Sequence, residues 1–127
     1  MNLWRIPAWL EQEVRERDKM CVYCGVHMTE SGIPGASRRR VATWEHIVND
    51  ARIVTRGNIV RCCASCNSSK GAKLLSAWLQ SSYCVKRGIT AQSVAPVVRL
   101  ALDAALSSEP NNLLHATRET RAREQWR

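Results

Sequence analysis

The spacing of the cysteines constrains the fold of this 127-residue chain more than any other feature. Four of its six cysteines form two pairs, Cys21-x-x-Cys24 and Cys63-x-x-Cys66. A gap of two residues lets one tight turn aim two sulfur atoms at a single ion, and two such turns supply the four ligands of a tetrahedral Zn²⁺ site. We therefore predict a structural zinc ion held by these four cysteines.

Two alternatives concern the remaining thiols. Cys62-x-x-x-Cys66 is a competing register, but we favour Cys63 because Cys62 then ends a strand and can face the core. Disulfides are disfavoured, since the N-terminus lacks the basic start, apolar run and cleavage site of a secretory signal. We accordingly expect a cytoplasmic protein with reduced thiols. Cys84 has no close partner and is interpreted as a small apolar packing residue.

The charge of the chain is basic and unevenly distributed. Lys and Arg outnumber Asp and Glu by 19 to 11, for a formal net charge of +8. Eight of the basic side chains, but only two of the acidic ones, fall within residues 34–73. This charge favours nucleic acid as a partner, because neutralising phosphates supplies affinity for any sequence. The alternative is a solvated basic face that only keeps the protein soluble.

The length is typical of one small domain, so we expect residues 1–127 to form a single domain of the α+β class. No apolar run approaches the ~20 residues that cross a bilayer, and we expect no membrane contact. Short strands are predicted over 40–44 and 58–62, and helices over 67–83 and 93–107. The organisation we expect is an N-terminal helix within 1–20, a core over 21–84, a C-terminal helix within 85–110, and a basic, partly disordered tail over 111–127.

Four polar residues stand at the ends of these predicted elements. Glu45 and His46 end the first strand, Asn58 opens the second, and Asn67 directly follows the second cysteine pair. Singly, His46 could be a partly buried histidine, Asn58 a turn residue and Asn67 a helix N-cap. Their arrangement inside the zinc loop indicates a functional site instead.

Two segments resemble the cysteine-knuckle HNH endonucleases: Trp44-Glu-His-Ile-Val48, and Gly57-Asn-Ile-Val-Arg-Cys-Cys-Ala-Ser-Cys-Asn-Ser-Ser-Lys-Gly71. The resemblance runs from Cys21 to about Lys73, under half of the chain. It implies a small, treble-clef-like ββα-metal core in which zinc ties a hairpin to a helix, with flanking N- and C-terminal helices. It also implies metal-dependent hydrolysis of DNA.

The resemblance assigns a role to each matching position. It implies that His46 is the general base, that Glu45 and Asn67 hold a catalytic Mg²⁺ or Mn²⁺, and that Asn58 braces the loop holding the base. Lys70 matches a basic residue suited to phosphate. Three departures are that Glu45 stands where Asp is more usual, that Asn67 replaces His, and that Asn49 stands where proline is often found.

This chemistry is self-consistent. A neutral histidine, with an unperturbed pKa of ~6.5, can accept a proton from water near pH 7. A divalent ion held by oxygen ligands can stabilise the leaving 3′-oxygen, so that cleavage leaves 5′-phosphate and 3′-hydroxyl ends. A monomer would nick DNA and a homodimer could cut both strands; both remain open. Further DNA contacts are expected from the basic side chains Arg38, Arg39, Arg40 and Lys73.

Two other functions compete with the endonuclease. One is a zinc-knuckle DNA-binding module without catalytic activity, and the other is a zinc scaffold that binds another protein. His27 is interpreted as a surface residue rather than a fifth zinc ligand. Asp50 could approach the metal from the loop after His46, but we give it little weight.

Overall fold

A single antiparallel hairpin organises the helices of this protein. The computed structural model describes residues 5–107, so the predicted tail over 111–127 lies outside the described residues. The elements, in chain order, are α1 (Ala8–Arg17), a 3₁₀ helix (Arg38–Arg40), β1 (Ala42–His46), β2 (Ile59–Cys63), α2 (Ala64–Lys70), α3 (Leu75–Leu79), α4 (Ser82–Arg87) and α5 (Pro96–Ser107). The small α+β architecture is as predicted.

The hairpin is buried on both faces. β1 and β2 pair in a register that runs from Ala42 opposite Cys63 to His46 opposite Ile59. All five residues of β2 are buried. Because successive strand side chains point to opposite faces, β2 supplies Ile59 to one hydrophobic cluster, and Val60 to another.

The smaller cluster joins the hairpin to α1. Ile6, Leu10 and Val14 pack with Ile59, and Trp44 lies partly buried against them. The helix lies within the predicted range and begins directly after Pro7, since proline fixes a backbone angle that suits a helix start.

The larger cluster is built around Trp78, which is fully buried. Its ring meets Tyr23 edge-on, with centroids 4.9 Å apart, and stacks on Tyr83 at 5.9 Å. The indole N–H donates to Ser69 Oγ at 2.9 Å, so the polar edge of this buried ring is satisfied.

The prediction of one helix over 67–83 is wrong, because the chain forms three short helices there. α2 ends at Gly71, whose φ of 51° leaves the helical region. Ser81 then starts α4 by accepting a hydrogen bond from the Cys84 N–H. Leu74 lies between α2 and α3 and is 76% exposed, whereas Leu75 and Trp78 of α3 are buried.

Other boundaries shift slightly. The strands lie one or two residues later than predicted, and the last helix begins at Pro96. Asn67 is not an N-cap: Cys63 takes that place, and its sulfur accepts from the Cys66 N–H. None of the helices within residues 5–107 is long and apolar enough to cross a membrane.

A buried carboxylate fastens the end of α1 to the hairpin. Asp18 accepts the backbone N–H of Arg61 at 3.1 Å and two guanidinium N–H groups of Arg17 at 2.7 and 2.8 Å. Arg17 also donates to the Ile59 carbonyl at 2.9 Å. This network fixes the position of α1 over β2.

We expect Asp18→Ala to lower the free energy of unfolding by about 2–3 kcal/mol, because it leaves the buried Arg61 N–H without an acceptor. Urea unfolding of the zinc-loaded protein measures this loss. Glu16→Ala, at an exposed acidic position of α1, is the control and should stay within about 0.5 kcal/mol of wild type. Equal losses in the two variants would contradict the role given to Asp18.

Candidate functional site

The two cysteine pairs come together as one cluster. Atoms Sγ of Cys21, Cys24, Cys63 and Cys66 all lie within 4.8 Å of one another. The sulfurs of Cys24 and Cys63 are 3.8 Å apart, and tetrahedral ligands about 2.3 Å from one zinc ion would be separated by about this distance. The cluster can therefore hold a metal ion such as zinc, with Cys63 rather than Cys62 as the ligand.

Local backbone geometry aims these sulfurs. In each pair the second cysteine donates its backbone N–H to the first sulfur, at 3.4 Å for Cys24 to Cys21 and 3.4 Å for Cys66 to Cys63. Gly25 leaves the first turn with a φ of 79°, a backbone angle that glycine adopts without strain. We call these two turns, 21–24 and 63–66, the zinc knuckles.

The pKa values of the four thiols are shifted in different directions. Hydrogen bonds from the Cys24, Cys63 and Cys66 side chains lower the pKa of Cys21, while hydrogen bonds to Cys21 and Cys24 raise those of Cys63 and Cys66. The close approach of the four sulfurs therefore opposes deprotonation of all four thiols at once. A bound dication would relieve this opposition and release the remaining protons, so metal affinity should fall as the pH is lowered.

The other two cysteines belong to the core. Cys62 and Cys84 are fully buried in the larger hydrophobic cluster. Burial raises the pKa of both thiols. They are therefore neutral packing residues, as expected from their lack of a matched partner.

We expect Cys21→Ser to lose stoichiometric zinc and to unfold, because structural zinc binding is coupled to folding. Cys62→Ala should keep one zinc per chain and cost only about 1–2 kcal/mol of stability. Zinc content after gel filtration, together with circular dichroism, distinguishes the two variants. Loss of zinc from Cys62→Ala would overturn the ligand assignment.

Asn58 holds the loop that follows His46. Its Oδ1 accepts the Val48 N–H at 2.7 Å, and its Nδ2 donates to the carbonyls of Val48 at 3.2 Å and Ile53 at 3.0 Å. His46 is the last residue of β1 and is buried. These three bonds tie the loop after His46 to the residue that precedes β2.

Asn67 joins α2 to β1. Its Nδ2 donates to Thr43 Oγ1 at 2.8 Å and to the Trp44 carbonyl at 3.2 Å. Both hydrogen bonds from the amide nitrogen therefore go to the hairpin. The amide oxygen is the atom that could bind a cation.

The sequence predicts that Lys70 contacts a phosphate, but the structure buries its side chain away from solvent. The side chain is 0% exposed, and its Nζ donates to the Ile47 carbonyl at 3.0 Å and lies 3.1 Å from Glu45 Oε2. Charged side chains are rarely buried unless paired, and here the pairing is internal. Tyr23 donates to the same Glu45 oxygen at 3.0 Å.

Glu45 therefore belongs to the α2 side of the hairpin. It is 7% exposed. Burial of Tyr23, together with the negative charge of Glu45, raises the pKa of Tyr23, so the phenol stays protonated. Within residues 5–107 the cysteine cluster is the only group of three or more His, Cys, Asp or Glu side chains gathered closely enough to hold an ion.

Asp50 lies in the loop after His46 and is paired with Arg52. Arg52 binds its carboxylate with hydrogen bonds of 3.0 and 2.9 Å and lowers its pKa to about 2, with a smaller contribution from the charge of His46. Its side chain is 29% exposed.

The remaining predicted DNA contacts lie on the surface. Arg38, Arg39 and Arg40 form the exposed 3₁₀ helix, and Arg40 donates to the His27 carbonyl at 3.2 Å. Lys73 is exposed and donates to the Ser69 carbonyl. His27 is also exposed, as expected, and its side chain takes no part in the cysteine cluster.

Comparison with known proteins adds no relative to this description. No family model matches the chain, and the comparisons with curated proteins and solved structures found no match. The functional argument therefore rests on the residues themselves.

The buried Lys70–Glu45 pair makes a stability prediction. Lys70→Met should cost about 3–5 kcal/mol, because it leaves the Glu45 carboxylate buried without its counter-charge. Adding Glu45→Gln should restore at least half of that loss by removing the orphaned charge. Urea unfolding of both single variants and the double variant gives the coupling, with exposed Lys73→Met as control. A double variant whose losses simply add would contradict the pairing.

Proposed function

We propose that this protein is a metal-dependent endonuclease of the HNH type, with a zinc-bound ββα-metal core, that hydrolyses DNA. The observation that carries the proposal is the set of hydrogen bonds that hold the backbone around His46. The histidine ends β1, Asn58 clamps the loop that follows it, and Asn67 of α2 binds the main chain of β1. The zinc knuckles hold this helix and hairpin together.

In this proposal His46 acts as the general base. In its neutral form it accepts a proton from water as the water oxygen attacks phosphorus. The phosphorus–3′-oxygen bond breaks, and the products carry 5′-phosphate and 3′-hydroxyl ends. Asn58 supports the reaction indirectly, because its three bonds to the loop limit the positions that the histidine can adopt.

Glu45 and Asn67 would hold Mg²⁺ or Mn²⁺, since a carboxylate and an amide oxygen are the hard donors these ions prefer. When bound, such an ion supplies charge neutralisation on the phosphate and stabilises the leaving oxygen. Because Lys70 and Tyr23 both bond to Glu45 Oε2, Glu45 would bind the ion through Oε1. Lys70 is then a positioning residue rather than a phosphate ligand.

The charge of the protein supports DNA as the substrate. A net charge of +8 and an exposed run of three arginines suit a polyanion. A single histidine site cuts one strand at each encounter. The proposal therefore covers nicking by a monomer and double-strand cleavage by a homodimer.

The test is cleavage of supercoiled plasmid by the zinc-loaded protein with Mg²⁺ or Mn²⁺. We expect wild type to produce nicked or linear DNA and His46→Ala to be about 10²–10⁴-fold slower, the usual contribution of a general base. His27→Ala, which removes an exposed histidine outside the proposed site, should retain wild-type activity.

Two outcomes would reject the proposal in favour of its competitors. Equal DNA binding by wild type and His46→Ala, with cleavage by neither, would identify a DNA-binding module. Absence of any salt-sensitive DNA binding would instead favour a scaffold that binds another protein.

A further inference from the structure

A basic cleft lies beside α2, between the 3₁₀ helix and α4. It has a volume of about 440 Å³, within the range of small-molecule sites. We call it the arginine cleft, and its polar lining residues are Arg38, Arg39, Ser65, Ser68, Tyr83 and Arg87. None of the described residues that line it is acidic.

The arginine cleft is separate from the site around His46. Ser65 and Ser68 of α2 line the cleft, whereas Asn67 and Lys70 of the same helix bond to the hairpin. Since residues of a helix are about 100° apart, these two sets lie on different sides of α2. One helix thus presents two distinct polar surfaces.

The walls of the cleft are held in place before any ligand binds. The Arg87 guanidinium lies 3.7 Å from the centre of the Tyr83 ring and donates to the Tyr83 carbonyl at 3.2 Å. The Tyr83 hydroxyl bonds to Ser65 Oγ at 2.8 Å and donates to the sulfur of Cys66 at 3.4 Å. The second zinc knuckle therefore fixes the position of Tyr83, and Tyr83 that of Arg87.

Among the residues that the structure describes, the arginines of the cleft have no carboxylate partner. Five other arginines, Arg15, Arg17, Arg52, Arg56 and Arg61, are paired with carboxylates. Within the described part of the chain, Arg38, Arg39 and Arg87 are in no ion pair. Three guanidinium groups in one cleft repel one another, and an anion bound among them would relieve this repulsion.

We propose that the arginine cleft binds a backbone phosphate of DNA, away from the bond that is cut. Guanidinium groups remain charged and present forked N–H donors that match phosphate oxygens. The choice of DNA rests on the proposed function, whereas the choice of an oxyanion rests on the cleft alone. Such a contact fixes the position of the backbone without reading base sequence.

The hairpin sets the distance between the two sites. The cleft adjoins the Ala42 end of β1 through Arg38 and Arg39, and His46 is at the other end. Four residue steps along a strand span about 13 Å, and one DNA strand carries a phosphate every ~3.4 Å along the axis. The anchored phosphate would thus lie about four or more positions from the scissile one.

Binding of a short fluorescent DNA duplex tests the cleft without any cleavage, using zinc-loaded protein in the absence of Mg²⁺ and Mn²⁺. We expect Arg39→Ala and Arg87→Ala each to weaken binding about five- to tenfold and to reduce the salt slope by about one. Lys86→Ala is the matched control: it removes the same charge from the neighbouring exposed position of α4, outside the cleft lining. It should change affinity less than about twofold.

The outcomes of this binding experiment test the arginine cleft independently of the proposed endonuclease activity. If Arg87→Ala weakens binding and Lys86→Ala does not, the cleft stands even when no plasmid is cut. If the two variants lose affinity equally, only the general positive field matters and the cleft proposal is overturned, whether or not the plasmid is cut. Tighter binding of an RNA duplex of the same sequence, with the same loss in Arg87→Ala, would overturn the assignment to DNA. Zinc content confirms that each variant is folded.

Discussion

The convergence of four sulfur atoms is the constraint on which the rest of the structure depends. It brings the turn at 21–24 against the end of β2 and the start of α2, segments that the sequence separates widely. A domain of this size has a small hydrophobic core, and a metal ion would compensate by adding strong bonds at one point. The hairpin, α2 and the aromatic cluster all take their positions from that point.

The metal cluster could be predicted from the sequence because it depends on local spacing. Features that depend on long-range packing could not. The pairs Cys21–Cys24 and Cys63–Cys66 each need only one turn, so their geometry is encoded within four residues. The burial of Lys70 depends on Glu45 and Tyr23, which come from two other segments. No pattern within α2 distinguishes such a lysine from one on the surface.

The helical region after the second knuckle shows a different limit of sequence interpretation. Leu74, Leu75, Trp78 and Leu79 have helical spacing, and this periodicity suggested one continuous helix. Gly71 and the extended backbone at Leu74 interrupt it, and Trp78 packs against Tyr23 and Tyr83 from the short helix α3. The arginine cleft was equally hidden, since its residues come from three separate segments.

The position of Trp78 has an optical consequence. Its ring contacts Tyr23 of the first knuckle and Tyr83, whose hydroxyl bonds to the second. Separation of the knuckles would expose this indole to water, and the emission of an indole depends on the polarity around it. In a variant whose other four tryptophans are replaced, the fluorescence of Trp78 would therefore report whether the four sulfurs are held together.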